Sequence, residues 1–146
     1  MKLFTIGFTQ KTAEQFFNLI RNNGVKELID IRLGVTSQLA AFAKGADLKF
    51  FLKEICAIPY SHDTLLAPTD ELLKDYKKKL ITWKEYEERF AEIMQERNIC
   101  AYLKNNYSKR DGICLLCSEP TPKMCHRRLV ANIFCEVFQD VDLIHL

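Results

Sequence analysis

Residues 112–129 have the sequence Gly-Ile-Cys-Leu-Leu-Cys-Ser-Glu-Pro-Thr-Pro-Lys-Met-Cys-His-Arg-Arg-Leu, and this stretch decides the fold. Residues 113–117 form a short apolar run, which is typical of a strand covered on both faces. Pro120 ends the run because proline has no N–H to donate to a strand ladder. Thr121 and Pro122 then predict a helix start, since the hydroxyl can cap it and the ring suits the first helical position.

The segment after this turn has one apolar face. Apolar residues recur at helical spacing over residues 122–138 and predict a helix packed on the sheet. Cys125 and His126 each precede a residue of that face by four positions, so both are expected on the sheet side. A helix start carries partial positive charge and unpaired N–H groups. Arg127 and Arg128 add charge there, and the pattern predicts an anion-binding site.

Similar short runs predict the remaining strands. They cover residues 2–8, 27–32, 57–61 and 141–145. Helices are predicted over residues 12 to about 23, 47–56, 70 to about 80 and 83 to about 97. Residues 99–103 either continue the last of these or follow a break at Asn98, and residues 33–45 are predicted as a loop. Strand–helix–strand units of this length close in right-handed parallel crossovers. The sequence therefore predicts an α/β fold: a single-domain three-layer sandwich over residues 1–146, with a mostly parallel central sheet of about five strands and helices on both faces.

Chemically capable residues follow several predicted strands. In order along the chain they are Gly7 and Thr9, Asp30 and Arg32, His62, and Cys117 and Glu119. Ligands of parallel sheets bind beyond the carboxyl ends of the strands, at a switch in strand order. We therefore expect one site at this edge. The candidate catalytic residues are Asp30, Cys117, Glu119, Cys125 and His126. The candidate ligand-binding residues are Gly7, Thr9, Arg32, His62 and Arg127.

Composition limits the class of protein. Hydrophobic residues make up 48% of the 146 residues and charged residues 27%, as in ordinary globular domains. The net charge of +2 is too small to indicate nucleic-acid binding by itself. No apolar run has the length of a membrane span and no signal-peptide pattern opens the chain, so a cytoplasmic protein with reduced cysteines is expected. The oligomeric state is not predicted.

Several blocks of sequence resemble one known family. Leu115-Leu116-Cys117-x-Glu119 followed by Cys125-His126-Arg127-Arg128-Leu129 is similar to the signature of the domain of unknown function 488 family. Upstream, Thr5-Ile6-Gly7, Leu28-Ile29-Asp30-Ile31-Arg32 and Ile58-Pro59-Tyr60-Ser61-His62 resemble family positions in the same order. The family has no settled activity, so the resemblance implies a fold and the location of a site rather than a reaction.

Two kinds of enzyme fit these residues. In the first, Arg127 and the helix start hold a phosphate-bearing ligand, such as a nucleotide or a nucleic-acid end, with help from Arg32. Acid–base chemistry then comes from Asp30, Glu119 or His126. The second kind is a thiol-dependent enzyme that uses the cysteine ending the signature strand, because a helix start and basic groups favour a thiolate. That cysteine and the Asp-x-Arg strand end are also similar to rhodanese-like sulfurtransferases.

The cysteines allow further interpretations. Cys114-x-x-Cys117 together with Cys125 and His126 has the composition of a zinc site. However, positions three apart on a strand point to opposite faces, so Cys114 and Cys117 are not expected to share an ion. No metal ligand and no cofactor is predicted. A Cys117–Cys125 disulfide or redox pair, a structural thiol at Cys117, and a non-catalytic module that binds a small ligand or nucleic acid remain open.

Overall fold

The computed structural model describes residues 1–36 and 40–146, and it contains one five-stranded parallel sheet. The strands are β1 (Lys2–Gly7), β2 (Glu27–Asp30), β3 (Tyr60–His62), β4 (Ile113–Cys117) and β5 (Asp142–His145). Their order across the sheet is β3-β2-β4-β1-β5. The predicted α/β fold with a parallel central sheet is confirmed.

Helices connect the strands. They are α1 (Ala13–Asn22), α2 (Gly45–Phe51), α3 (Asp70–Lys77), α4 (Trp83–Glu96), α5 (Ile99–Tyr107) and α6 (His126–Val137). A π-helical turn at Leu52–Cys56 continues α2, and 3-10 turns lie at Ala41–Ala43 and Thr64–Leu66. Within the described residues, no helix has both the length and the apolar character needed to cross a membrane.

Helices cover both faces of the sheet, as the sequence predicts. On one face, α1 and α2 pack against β1, β2 and β4 through a cluster that includes Phe4, Phe16, Leu28, Leu48 and Leu116. On the other face, α3 to α6 pack through a cluster that includes Leu3, Leu72, Phe90, Leu103, Leu115 and Phe134. Each fully buried side chain of this size contributes about 1.5–3 kcal/mol of transfer free energy, so these two layers hold the sheet in place.

Element boundaries differ from the sequence prediction at two places that matter. Strand β3 begins at Tyr60 rather than residue 57, because Pro59 contributes only its carbonyl, which accepts from the Leu28 N–H. Helix α6 begins at His126, not at Pro122, and its N-cap Cys125 is extended (φ −140°, ψ 138°). The helix start predicted at residues 121–122 is therefore wrong.

The structure also shows the conformation of two regions for which the sequence prediction was incomplete. Asn98 adopts the left-handed conformation (φ 51°, ψ 47°) and separates α4 from α5, so residues 99–107 form a helix of their own. The predicted loop over residues 33–45 contains the 3-10 turn Ala41–Ala43 near its end. Residues 37–39 of that loop lie outside the described residues.

The topology places a crevice at the end of β4. The chain leaves β1 and β2 through α1 and α2 on one face of the sheet, but it leaves β4 through α6 on the other face. Strand β4 lies between β2 and β1 in the sheet. Connections that depart to opposite faces from adjacent strands open a crevice at their carboxyl ends, where parallel α/β proteins bind ligands.

Candidate functional site

The carboxyl ends of four strands align along one edge of the sheet. In the strand register Gly7 is opposite Cys117, and Asp30 is opposite both Leu116 and His62. The strand-end residues named from the sequence thus lie in one row, although their side chains differ in what they contact.

Cys117 is the centre of this row. It is 5% exposed, and its Sγ lies 3.4 Å from Nδ1 of His126. The pKa of Cys117 is lowered, first by a hydrogen bond from the Cys125 thiol, against the opposing effect of burial. The backbone N–H groups of Ser118 and Glu119 and the charge of Arg127 lower it further. Hydrogen bonds and positive charge that favour the ionised form outweigh desolvation here.

Cys125 and His126 come from the start of α6. Donation to Cys117 and burial together raise the pKa of the Cys125 thiol, so Cys125 keeps its proton. The His126 Nε2 lies 2.8 Å from the Ile31 carbonyl oxygen. A carbonyl only accepts, so Nε2 carries the proton and Nδ1 of the neutral ring faces Cys117 as an acceptor. Burial lowers the pKa of His126 and favours that neutral ring.

Arg127 is fully buried beside the thiols. Its Nη1 donates to the Glu119 carbonyl and lies 3.9 Å from Cys125 Sγ. Its Nε and Nη2 are buried without a hydrogen-bond partner among the described residues. No carboxylate of the described residues forms an ion pair with it. A buried cation without a counter-charge is strongly unfavourable, so this arrangement requires an anion nearby.

The loop after β4 crosses directly over the end of β1. A methyl carbon added at Gly7 would overlap the Glu119 carbonyl oxygen and lie 2.7 Å from Arg127 Nη1. Thr9 fastens the same loop, because its N–H and its hydroxyl both donate to the Ser118 carbonyl, at 3.1 and 2.5 Å. Gly7 and Thr9 therefore hold the loop in position.

Asp30 and Arg32 bond to each other in a buried bidentate pair. Arg32 Nε and Nη2 donate to the two carboxylate oxygens of Asp30 at 2.8 and 2.6 Å. The Tyr60 hydroxyl also donates to Asp30, and Arg32 also donates to the Ala43 carbonyl. His62 is exposed and lies 2.6 Å from the Arg32 carbonyl through its Nε2. These contacts form a rigid frame around Ile31, whose carbonyl orients His126.

Glu119 contributes its backbone to the site. Its side chain is exposed, whereas its N–H faces Cys117 and its carbonyl accepts from Arg127. The sequence interpretation attached acid–base chemistry to the carboxylate, and the contacts of residue 119 in the structure are made by main-chain atoms.

A cleft of about 750 Å³ opens beside the site. It is lined by residues that follow β1, by one face of α1, and by Pro120 and Thr121 after β4. Lys11 is part of this lining, and burial, followed by the charge of Arg127, lowers its pKa. The sequence interpretation missed Lys11; its signal was its position shortly after the end of β1.

Cys117, Cys125 and His126 have donor atoms within 4.8 Å of one another. Such a set has the composition of a soft-metal site. However, the fully buried guanidinium of Arg127 lies 3.9 Å from Cys125 Sγ and opposes a second cation there. Cys114 points to the opposite face and packs with Phe4 and Leu116. We interpret the cluster as a thiol centre.

Comparison with protein families gives one match. Residues 12–134 match the family described as domain of unknown function DUF488. The chain belongs to this family. Comparison with curated proteins and with solved structures gives no match.

The part of the chain matched to DUF488 contains most of the site. Asp30, Arg32 and the segment from Cys117 to Arg127 lie within it, whereas Gly7 and Lys11 precede it. The resemblance noted from the sequence is confirmed. Because the family is one of unknown function, its match carries no reaction, and the chemistry must be argued from the geometry.

Proposed function

We propose that this DUF488 protein is a thiol-dependent enzyme in which Cys117 is the nucleophile. One observation carries the proposal: at the end of β4 the buried Cys117 sulfur lies 3.4 Å from His126 Nδ1 and within 4.8 Å of the Cys125 sulfur, and hydrogen bonds from the Cys125 thiol and two backbone N–H groups lower its pKa. Groups of this kind stabilise a thiolate, which is the reactive form of cysteine. The thiolate also supplies the counter-charge that the buried Arg127 requires.

The neighbouring residues have distinct roles in this proposal. Nδ1 of the neutral His126 ring lies 3.4 Å from the Cys117 sulfur and relays the thiol proton towards solvent when Cys117 ionises. Asp30 and Arg32 are positioning residues, because their buried pair brackets the Ile31 carbonyl that fixes the imidazole. The cleft beside Pro120 and Thr121 gives a substrate access to this edge of the sheet.

The test is the pH dependence of thiol alkylation. The folded protein is treated with iodoacetamide from acid to alkaline pH, and each cysteine is followed by mass spectrometry. We expect the midpoint for Cys117 to lie below that for Cys135, an exposed thiol on α6 whose pKa burial raises. A midpoint for Cys117 at or above that of Cys135, or a Cys117 that reacts only after unfolding, would contradict the proposal.

A second candidate function rests on a different observation, the two unpartnered nitrogens of Arg127. They lie in the first turn of α6, where N–H groups and positive charge favour anions. Lys11 is a second cation nearby, because the charge of Arg127 helps to lower the pKa of its amine. This arrangement supports an enzyme acting on a phosphate-bearing ligand, such as a nucleotide or a nucleic-acid end.

Thermal-shift measurements with inorganic phosphate and with nucleotides test the second candidate. We expect the ligand to raise Tm for the natural protein and for Arg128→Met, whose residue forms a surface pair with Glu87. Arg127→Met should lose the shift. Equal shifts for both variants would exclude this role for Arg127. If Arg127→Met does not fold, the natural protein is alkylated with and without phosphate instead. Phosphate bound at Arg127 should slow the alkylation of Cys117, and an unchanged rate would exclude this role for Arg127.

A further inference from the structure

We propose that Cys125 is a resolving thiol, and that Cys117 and Cys125 together reduce a small hydroperoxide through a disulfide between them. The inference rests on the proposed role of Cys117 as nucleophile and adds a second catalytic residue, a substrate class and a covalent intermediate. Cys125 belongs to this centre because its sulfur contacts the sulfur that reacts.

The two sulfurs are close, and the loop between them contains neither a helix nor a strand. Both lie within the group whose donor atoms are at most 4.8 Å apart. Cys117 ends β4, whereas Cys125 precedes the first helical residue of α6 with extended backbone. Residues 118–124 between them form bends and turns without a helix or strand. A disulfide needs a sulfur–sulfur distance of about 2.05 Å, so the two sulfurs must move closer to form the bond. Cys125 lies outside the sheet, at the N-cap of α6, and its side chain makes no capping hydrogen bond there.

Burial and side-chain orientation select this pair. Cys114 faces the opposite side of the sheet, packed with Phe4 and Leu116. Cys100 and Cys135 are exposed on helices. Of the cysteines that the structure describes, Cys125 alone is grouped with Cys117.

The two thiols have complementary protonation. Hydrogen bonds lower the pKa of Cys117, whereas donation to Cys117 raises the pKa of Cys125, which therefore keeps its proton to higher pH. A dithiol centre needs this difference, since one sulfur attacks while the other supplies the proton for the second step.

The reaction balances in two steps. In the first, the Cys117 thiolate attacks one oxygen of the hydroperoxide: an S–O bond forms, the O–O bond breaks, and the departing oxyanion takes a proton from water. In the second, Cys125 sulfur attacks the resulting sulfenic acid: the S–S bond forms, the S–O bond breaks, and the hydroxyl leaves as water with the Cys125 proton. The two thiols lose two electrons and the hydroperoxide gains two. Two equivalents of an external thiol then reduce the disulfide: the first forms a mixed disulfide with one cysteine, and the second attacks it and leaves with the first as an external disulfide.

The substrate class follows from the shape and charge of the site. Cys117 is 5% exposed and Arg127 is fully buried, so only a small electrophile reaches the sulfur. The unpartnered Nε and Nη2 of Arg127 can donate to the oxyanion that departs when the O–O bond breaks. Hydrogen peroxide is the smallest member of the class and is the appropriate probe.

The experiment treats the reduced full chain with one equivalent of hydrogen peroxide and analyses it by intact mass and non-reducing peptide mapping. We expect the loss of two hydrogens and one cross-linked peptide joining Cys117 to Cys125. Cys125→Ser should instead gain one oxygen at Cys117, trapped by a sulfenic-acid reagent. Cys117→Ser should leave Cys125 unoxidised. Cys135→Ser is the matched control and should form the same disulfide as the natural protein.

The outcomes separate this inference from the proposed function. If Cys117 is alkylated with a lowered pH midpoint but peroxide yields no Cys117–Cys125 disulfide in folded protein, the inference fails and the nucleophile stands. If Cys117 resists both reagents, both fail. Stoichiometric zinc that co-purifies, is lost in Cys125→Ser and blocks oxidation would also overturn the inference, since the cluster would then bind a metal. Circular dichroism of each variant establishes that these comparisons concern folded protein.

Discussion

At the residue scale, the buried charge of Arg127 is the feature that most constrains the chemistry. Its guanidinium is shielded from water, donates to the Glu119 carbonyl, and lies near Cys117, whose pKa its charge helps to lower. The two groups explain each other: the cation lowers the pKa of the thiol, and the thiolate removes the cost of burying the cation. A substitution of Arg127 should therefore change the pKa of Cys117, and a substitution of Cys117 should change the cost of burying Arg127.

Arg127→Met tests this coupling. Removing the charge should raise the pKa of Cys117, and wherever that pKa lies above the pH of the solution each further unit lowers the thiolate fraction about tenfold. Alkylation of Cys117 should slow accordingly and its pH midpoint should move upward. Arg128→Met, which removes a neighbouring surface charge, should leave the midpoint unchanged. A midpoint unaffected by Arg127→Met would show that Cys125 and the backbone N–H groups alone stabilise the thiolate.

Gly7 gives a purely steric prediction. Gly7→Ala should destabilise the fold by about 1–3 kcal/mol or more, because the new methyl overlaps the Glu119 carbonyl, a backbone atom that cannot rotate away. Gly34→Ala is the matched control, since no atom of residues 1–36 and 40–146 lies within 4 Å of the added carbon there. Urea unfolding of both variants checks this. Equal stability of Gly7→Ala and the natural protein would mean that the loop after β4 is not held against β1.

At the element scale, the connection from β4 to α6 shows where sequence reasoning fails and why. Thr121 and Pro122 are a good local start signal, but the helix begins four residues later. The intervening turn carries the Glu119 carbonyl to Arg127 and Ser118 to Thr9. The Thr9–Ser118 contact joins segments 109 residues apart, and the Arg127–Glu119 contact depends on how the turn folds back, so local propensity reveals neither. The same turn places Cys125 at the N-cap, next to Cys117.

Local signals succeed where the stabilising contacts are themselves local. The capping boxes at Thr12 and Thr82 each combine two hydrogen bonds spanning three residues, and both helices begin where their sequences indicate. Helices α1 and α4 need no long-range information to start. The start of strand β3 does depend on long-range contacts, because the strand begins where residues after Pro59 pair with β2.

The capping box of α4 supports a stability prediction. The Thr82 hydroxyl accepts from the Glu85 N–H at 3.2 Å, and the Glu85 carboxylate accepts from the Thr82 N–H at 2.7 Å. Thr82→Ala should reduce the free energy of unfolding by about 1 kcal/mol. Thr82→Ser keeps the accepting oxygen and should lose little. Urea titration distinguishes them, and equal losses in the two variants would assign the effect to the threonine methyl group rather than to the cap.

At the scale of the whole molecule, the parallel sheet explains why the sequence could predict that the candidate residues lie together. Once strands alternate with helices, their carboxyl ends must share one edge, and the residues after them become neighbours. The roles within the row could not be predicted. Asp30 and Arg32 satisfy each other, Glu119 acts through its backbone, and Arg127 is buried without a carboxylate. Those outcomes depend on side-chain directions set by packing.

Stability should also depend on pH through the buried imidazole of His126. Burial lowers the pKa of His126 from its ordinary value of 6.5. As the pH falls through that value, the imidazole therefore binds a proton in the unfolded chain before it does so in the folded protein. The free energy of unfolding should therefore fall as pH drops below about 6.5, by at most about 1.4 kcal/mol per pH unit for one proton. The ring is also faced by Cys117, Cys125, Arg127 and Asp30, whose charges can change its pKa. The test therefore compares the free energy of unfolding in urea of the natural protein with that of His126→Asn at several pH values. The variant should lose less stability in acid. Parallel curves for the natural protein and His126→Asn would contradict this prediction, because they would mean that folding does not lower the pKa of His126.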